Sequence, residues 1–204
     1  DLGVLCMGGN DASQTFNDVF LLAWNSDTKE VQRESLPSLP TTLVYGAATT
    51  LGQKVYLAGG SETNELSTAL KNFWVLDLDE KGSDSFGWKE LPTWPGPSRG
   101  LNILAAQNNG REDRVYLFSG RRVGENGELE FLKDAYAYSP SDSFWERLED
   151  SPACMMAGEA IPAGENHILI VGGADGSLFH TADEIKDEHP GFPKQVWAYN
   201  ALTE

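Results

Sequence analysis

Cysteine is nearly absent: Cys6 and Cys154 are the only two in 204 residues, which excludes a disulfide framework and any cysteine-rich metal centre. Both sit among apolar or small residues, the setting of buried small hydrophobes. Histidine is equally sparse. His167, His180 and His189 show neither HxH nor HxxxH spacing, so no metal site is expected. Basic residues are outnumbered, 15 Lys and Arg against 31 Asp and Glu, for a formal net charge of −16. That balance excludes nucleic acid and anionic membrane surfaces as partners and favours solubility. There is no run of eighteen apolar residues to span a bilayer, no G-x-S-x-G nucleophile elbow, and no segment with helical periodicity. No signal peptide precedes the first strand-like segment, so the native start is expected upstream of residue 1.

What is present is glycine, and it recurs in one setting. The stretch "HILIVGGADG" at 167–176 has the look of a phosphate loop, but a phosphate loop needs a helix N-terminus behind it, and no third glycine or amphipathic run follows. The same words appear elsewhere: "VLCMGG" at 4–9, "KVYLAGG" at 54–60, "RVYLFSG" at 114–120 and "HILIVGG" at 167–173. The final glycines are 51, 60 and 53 residues apart. That spacing is close to the period of about 50 of kelch-type repeats.

Each copy continues alike. A second strand-like segment follows, "DVFLLAWN", "NFWVLDLD", "DAYAYS" or "QVWAYN", and then in two copies the frame "WKEL" at 88–91 and "WERL" at 145–148. The first copy carries a degenerate "VQRESLPSLP". A small-residue strand, "LVYGAATTLG", "GLNILAAQNN" or "MMAGEAIPAG", leads into the next glycine pair. Four short strands per copy, punctuated by Gly, Asn, Asp and Pro, cannot bury both faces of a sheet alone. Radial stacking of such sheets gives a propeller. The reading is therefore all-β: a kelch-type β-propeller of four-stranded antiparallel blades, with segments at about 1–41, 42–97, 98–152 and 153–204. The glycines read as points where one blade's backbone passes close to the next.

The expected strands number three, four, four and three, fourteen in all, which does not make whole blades. The chain is expected to be part of a larger propeller, with remaining blades missing or supplied by a separate polypeptide.

In a four-stranded meander the connections from strand two to three and from strand four to the next blade share one face, where function concentrates. The extra residues fall there: "RRVGENGELEFLK" after Gly120 and the 22-residue "ADGSLFHTADEIKDEHPGFPKQ" after Gly173. On this face Arg99 is placed to clamp a carboxylate bidentately, or else to form an interblade salt bridge. Arg121 and Arg122, an adjacent pair, are further candidate substrate-binding groups against a reading as solvated charges. Glu159, a lone acid in an apolar strand near the axis, is a candidate proton carrier, with a structural role as the alternative. His180 and His189 lie in the long loop, and His180 is the second candidate acid or base. His167 precedes a buried strand and reads as structural.

The glycine pairs, Trp-x-x-Leu frames and small-residue strands resemble kelch repeats along the whole chain. The segments "GEAIPAGENHILIVGGADGSLF" and "HPGFPKQVWAYN" resemble the cyclically permuted mutarotases, relatives of N-acetylneuraminate epimerase. The resemblance implies a six-bladed propeller, of which four blades are represented here, exported to the periplasm or secreted in a bacterium. It implies interconversion of sugar anomers, of a sialic acid or a related sugar, with no cofactor and no metal. Such chemistry needs an acid, a base and, for a sialic acid, a cation for the carboxylate. Glu159 and His180 are expected to supply the first two, and Arg99, Arg121 and Arg122 the last. The acidic net charge keeps neutral sugars in view. The competing reading is a non-catalytic kelch module that holds a protein or glycan on the same face.

Overall fold

The computed structural model describes residues 3–203, which form fourteen strands in four antiparallel sheets. The first sheet holds β1 (Val4–Met7), β2 (Val19–Asn25) and β3 (Glu30–Leu36). The second holds β4 (Ala47–Leu51), β5 (Lys54–Ala58), β6 (Phe73–Asp77) and β7 (Lys89–Glu90). The third holds β8 (Ile103–Asn108), β9 (Asp113–Val123), β10 (Leu129–Ser139) and β11 (Phe144–Arg147), and the fourth β12 (Met156–Ala163), β13 (His167–Ala174) and β14 (Val196–Asn200). Every sheet is a meander in sequence order, and β8 lies between β4 and β12, so the small-residue strands are the inner ones. This is the propeller arrangement expected from the repeat.

The central stretches of the middle strands, residues 55–58, 73–76, 115–118 and 135–138, are apolar and buried because both faces of their sheets are covered there. In β5 and β6, Leu57 and Trp74 turn toward the first sheet, where they meet Val19 and Leu43. Their neighbours Tyr56, Ala58, Phe73 and Val75 turn the other way, onto Leu104, Leu117, Tyr138 and Trp145 of the third sheet. The third sheet repeats the division: Tyr116, Phe118 and Ala137 leave that core for another, shared with Ile168 and Ile170. Each large side chain buried this way contributes about 1.5–3 kcal/mol. The first and fourth sheets each have a face without a neighbouring sheet among the described residues, carrying the exposed Val4, Trp24 and Val31 on one and Ile161 and Val196 on the other.

Polar ties repeat between sheets as well. The Trp88 Nε1–H donates to the carbonyl of Pro37 at 3.0 Å, and the Trp145 Nε1–H to that of Pro92 at 2.7 Å. The tryptophan of each frame thus fastens the outer edge of its blade to the blade before it. Toward the axis, Leu101 N–H donates to Tyr45 O at 2.8 Å and Ala157 N–H to Leu101 O at 2.9 Å. These three residues occupy equivalent places at the start of successive inner strands, and all are left-handed, with φ of 59°, 56° and 58°.

The glycine pairs turn and pack the chain, as expected. Gly59 has φ +64°, and a Cβ there would stand 2.7 Å from the Arg99 carbonyl oxygen of the next blade. At Gly173 a Cβ would stand 2.6 Å from the Met155 carbonyl oxygen. In "RVYLFSG" the first glycine is replaced by Ser119, which keeps the left-handed backbone at φ 59° and turns its hydroxyl into the interblade gap. There it accepts from the Met155 amide at 2.7 Å. A side chain fills the close approach with a hydrogen bond.

The two insertions differ in kind. Residues 121–133 do not form the loop expected of them. They extend β9 and β10 into a hairpin in which Arg121 pairs with Phe131 and Arg122 with Glu130, followed by a bulge between Leu132 and Ala135. The turn is confined to Gly124–Glu128, closed by Gly124 N–H donating to Glu128 O at 2.7 Å. Residues 174–195 remain a loop with one short helix, α1 (Ala182–Ile185), and a 3-10 turn at Lys186–Glu188.

Candidate functional site

The hairpin and the long loop meet on one face. Phe131 of β10 packs edge-on against Phe179, with centroids 5.8 Å apart, and the Phe131 ring closes over Gly176. Of the sequence candidates, Arg121 and His180 stand against Phe179, and the others lie elsewhere.

Arg99 is not a ligand clamp. Its side chain is 0 % exposed, and its two terminal nitrogens hold both oxygens of Asp134 at 2.8 and 2.6 Å. It also donates to the carbonyls of Ser119 at 2.9 Å and Pro97 at 3.3 Å, leaving no open face for a substrate carboxylate. Burial works to raise the Asp134 carboxyl, but Arg99 and the Tyr136 hydroxyl, which donates to it at 2.7 Å, outweigh burial and hold it below its ordinary value. Burial and the neighbouring carboxylate push Tyr136 up to about 12. The interblade-type salt bridge weighed for Arg99 is thus a bridge within its own blade. Asp134 was missed because its partner is 35 positions away. Its signal was the acid or amide just ahead of an apolar run in three of the repeats, Asp18, Asn72 and Asp134.

Arg121 and Arg122 do not act as a pair. Consecutive residues of a strand point to opposite faces. Arg122 turns to Glu130, its Nε–H donating at 2.6 Å, which raises the guanidinium and lowers the carboxyl of Glu130. Its role is to hold the hairpin. Arg121 faces the long loop, its guanidinium 4.6 Å above the ring of Phe179. Among the described residues no carboxylate pairs with it, and its buried Nε–H has no acceptor. Burial lowers its pKa from the usual arginine value, opposed by the nearby Tyr45 phenol and Cys154 thiol.

Glu159 is exposed rather than buried in an apolar strand. It lines an axial cavity of about 210 Å³ together with Tyr45, Asn102 and Gly158. Tyr45 was not anticipated. Its position at the start of the inner strand carries Leu101 and Ala157 in the next two blades, so a polar aromatic at that place was the available signal. His180 is exposed and stands edge-on to Phe179 at 5.4 Å; no described contact brings it to Glu159. His189 accepts from the Gly191 amide through Nδ1 at 3.0 Å. His167 has an exposed side chain; its backbone opens β13 opposite Ala163 and Asn200, and its carbonyl accepts from Gln107 at 2.7 Å. Cys154 is buried beside Ser119, whereas Cys6 is half-buried, and both are free thiols.

No group of three or more His, Cys, Asp or Glu among the described residues is placed to hold a metal. Among the described residues no helix is long and apolar enough to cross a membrane. Tyr45 and Glu159 put a phenol and a carboxylate on one cavity, and the half-buried Arg121 guanidinium, outside that cavity's lining, lies near enough to Tyr45 to interact with it electrostatically. That set can bind an anion and exchange protons.

Comparison with known proteins agrees with this architecture. The family model described as N-acetylneuraminate epimerase matches residues 36–187. The N-acetylneuraminate epimerase of Haemophilus influenzae (strain PittEE) is 29% identical over 153 residues, covering 75% of this chain and 37% of that protein. That of Brucella suis is 27% identical over 190 residues, covering 89% and 45%. A Kelch domain-containing protein of Vibrio cholerae is 30% identical over 147 residues, covering 71% and 37%. The chain spans less than half the length of these relatives. The solved structure of YjhT superposes with a TM-score of 0.64 at 18% identity, covering 82% of this chain and 51% of that one, and shares the fold. With three quarters of its length matched, the chain belongs to the N-acetylneuraminate epimerase family.

Proposed function

We propose that the loop face of this chain serves a mutarotase acting on an acidic sugar of the N-acetylneuraminate type. The observation that carries the reading is Arg121: a half-buried guanidinium with no carboxylate partner among the described residues, in a chain of net charge −16. Removing a cation from water without pairing it is costly, and such a group is a candidate anion site. The family's name, which specifies an acidic sugar, and the chemistry of Arg121 point the same way. The acidic chain repels an anionic sugar at long range, but salt screens that field beyond about 8 Å, so the local cation decides at contact.

Anomer exchange requires a proton to leave the anomeric hydroxyl and another to reach the ring oxygen as the carbon–oxygen bond of the ring breaks. Rotation of the open form and closure on the other face reverse both transfers. In this reading Glu159 accepts the first proton and the Tyr45 hydroxyl supplies the second, because both line the axial cavity. Arg121 holds the carboxylate. His180 is too far along the loop to share that cavity's lining and is left out of the proton path. The reading includes further blades completing the ring, and export to the periplasm, which fractionation of the native host tests.

The functional test is to follow the anomer ratio of freshly dissolved N-acetylneuraminate by NMR. Catalytic amounts of protein are expected to shorten equilibration, and Glu159→Gln to slow it at least tenfold while near-ultraviolet circular dichroism stays unchanged. Equilibration at the buffer rate would sink the proposal.

A further inference from the structure

A cavity of about 610 Å³ on the loop face is not used by the proton transfers above. It lies at the end of the fourth sheet, where Met156 and Ala174 pair at the mouth of β12 and β13. Phe179 forms one side and Pro190, Phe192 and Pro193 another. His189 fixes that second wall by accepting the Gly191 amide, which pins the Pro-Gly-Phe-Pro turn. Phe192 is 66% exposed. An apolar lining of this size belongs to the range of small-molecule sites and is far more than a methyl group needs.

Two observations say what fits it. Phe179 is shared: its ring carries the unpaired Arg121 guanidinium and also walls the cleft, so an anion at Arg121 and an apolar group in the cleft are one ring apart. Lys194, with no ion pair among the described residues, stands at the rim and adds positive charge to the same ligand. We propose that this cleft seats an acyl chain longer than acetyl, carried by the acidic sugar whose carboxylate Arg121 holds. The inference rests on the proposed function and narrows its substrate class to acidic sugars whose acyl group is longer than acetyl.

Calorimetric titration of the chain with N-acetylneuraminate and N-butanoylneuraminate tests it. Two further methylenes buried at roughly fourfold each predict about fifteenfold tighter binding of the butanoyl compound. Phe192→Ala is expected to cut that ratio to about threefold or less. Phe144→Ala, which removes an equally exposed phenylalanine from β11, is expected to keep it. A ratio near one with both sugars bound, or an equal fall in both variants, overturns the acyl seat and leaves the proposed function standing. If neither acid binds, the proposed function falls together with the inference.

Discussion

The Arg99 guanidinium grips both oxygens of the Asp134 carboxylate while its own side chain is wholly shut off from solvent. It also stands 5.4 Å from the Trp94 ring and 5.6 Å from that of Tyr136, so the ion pair is built into aromatic packing. Removing one partner strands the other. Asp134→Ala is expected to destabilise the fold by about 3–5 kcal/mol, read from urea unfolding midpoints at constant m. A loss below about 1 kcal/mol would show that the pair is not structural.

The same pair sets an acid limit. A carboxyl held low in the fold adds stability that is present above its unfolded value, about 3.9, and is lost as pH falls through its lower folded value. Asp134 is held low, so the stability difference between wild type and Asp134→Asn should shrink steadily as pH drops below about 4. A difference that is constant from pH 6 to pH 3 counts against this assignment.

At the alkaline end Tyr136 has the opposite sign. Its folded pKa is raised from 10.0 to about 12, so its contribution is complete below pH 10 and fades as pH rises toward 12. Tyr136→Phe should be less stable than wild type at neutral pH, through the lost hydrogen bond to Asp134, and should lose less stability between pH 10 and 12. Parallel alkaline curves for the two proteins would contradict it.

Ser119 allows strain and hydrogen bonding to be separated. Ser119→Ala keeps a Cβ at positive φ and leaves the buried Met155 amide without its acceptor, an expected loss of about 1–3 kcal/mol. Ser119→Gly loses the same bond but relieves the left-handed strain, about 1 kcal/mol, and should be the milder change. If glycine proves the worse substitution, left-handed strain at residue 119 is not what separates the two; if alanine costs nothing, the hydroxyl is not what holds the gap.

Much of this was legible in the chain because the repeat dictates it. Runs such as "VYLA" at 55–58 are apolar and buried on consecutive residues, and only a sheet covered on both faces requires that. The hairpin was harder. Leu129 to Phe131 alternate apolar and polar residues after a Gly-Glu-Asn-Gly turn, so the return strand was available in the pattern, but the adjacent charges of Arg121 and Arg122 favoured a loop. Once the strand is extended, the opposite fates of Arg121 and Arg122 follow from its period of two. Arg99 could not be assigned this way, since nothing local to "GPSRG" says that a carboxylate from the third strand arrives beside it. Glu159 was misjudged for a related reason: "MMAGEAI" looks buried, yet inner strands border the axis, and alternate residues there meet water.

Arg121 should separate binding from stability. Its guanidinium is desolvated without an ion pair, and its one clear compensation is the Phe179 ring, worth about 0.5–1 kcal/mol. Replacing it with methionine keeps the apolar stem and removes the desolvation penalty, so Arg121→Met is expected to leave stability unchanged or raise it by up to about 1 kcal/mol. The same change should weaken binding of N-acetylneuraminate by about 10- to 100-fold, the worth of a charge-assisted hydrogen bond, and leave a sugar lacking the carboxylate unaffected. Arg121→Lys should recover part of the affinity but not all, because an ammonium cannot offer the two parallel donors of a guanidinium. Equal weakening toward acidic and neutral sugars would mean that Arg121 shapes the loop through Phe179 and does not meet the carboxylate.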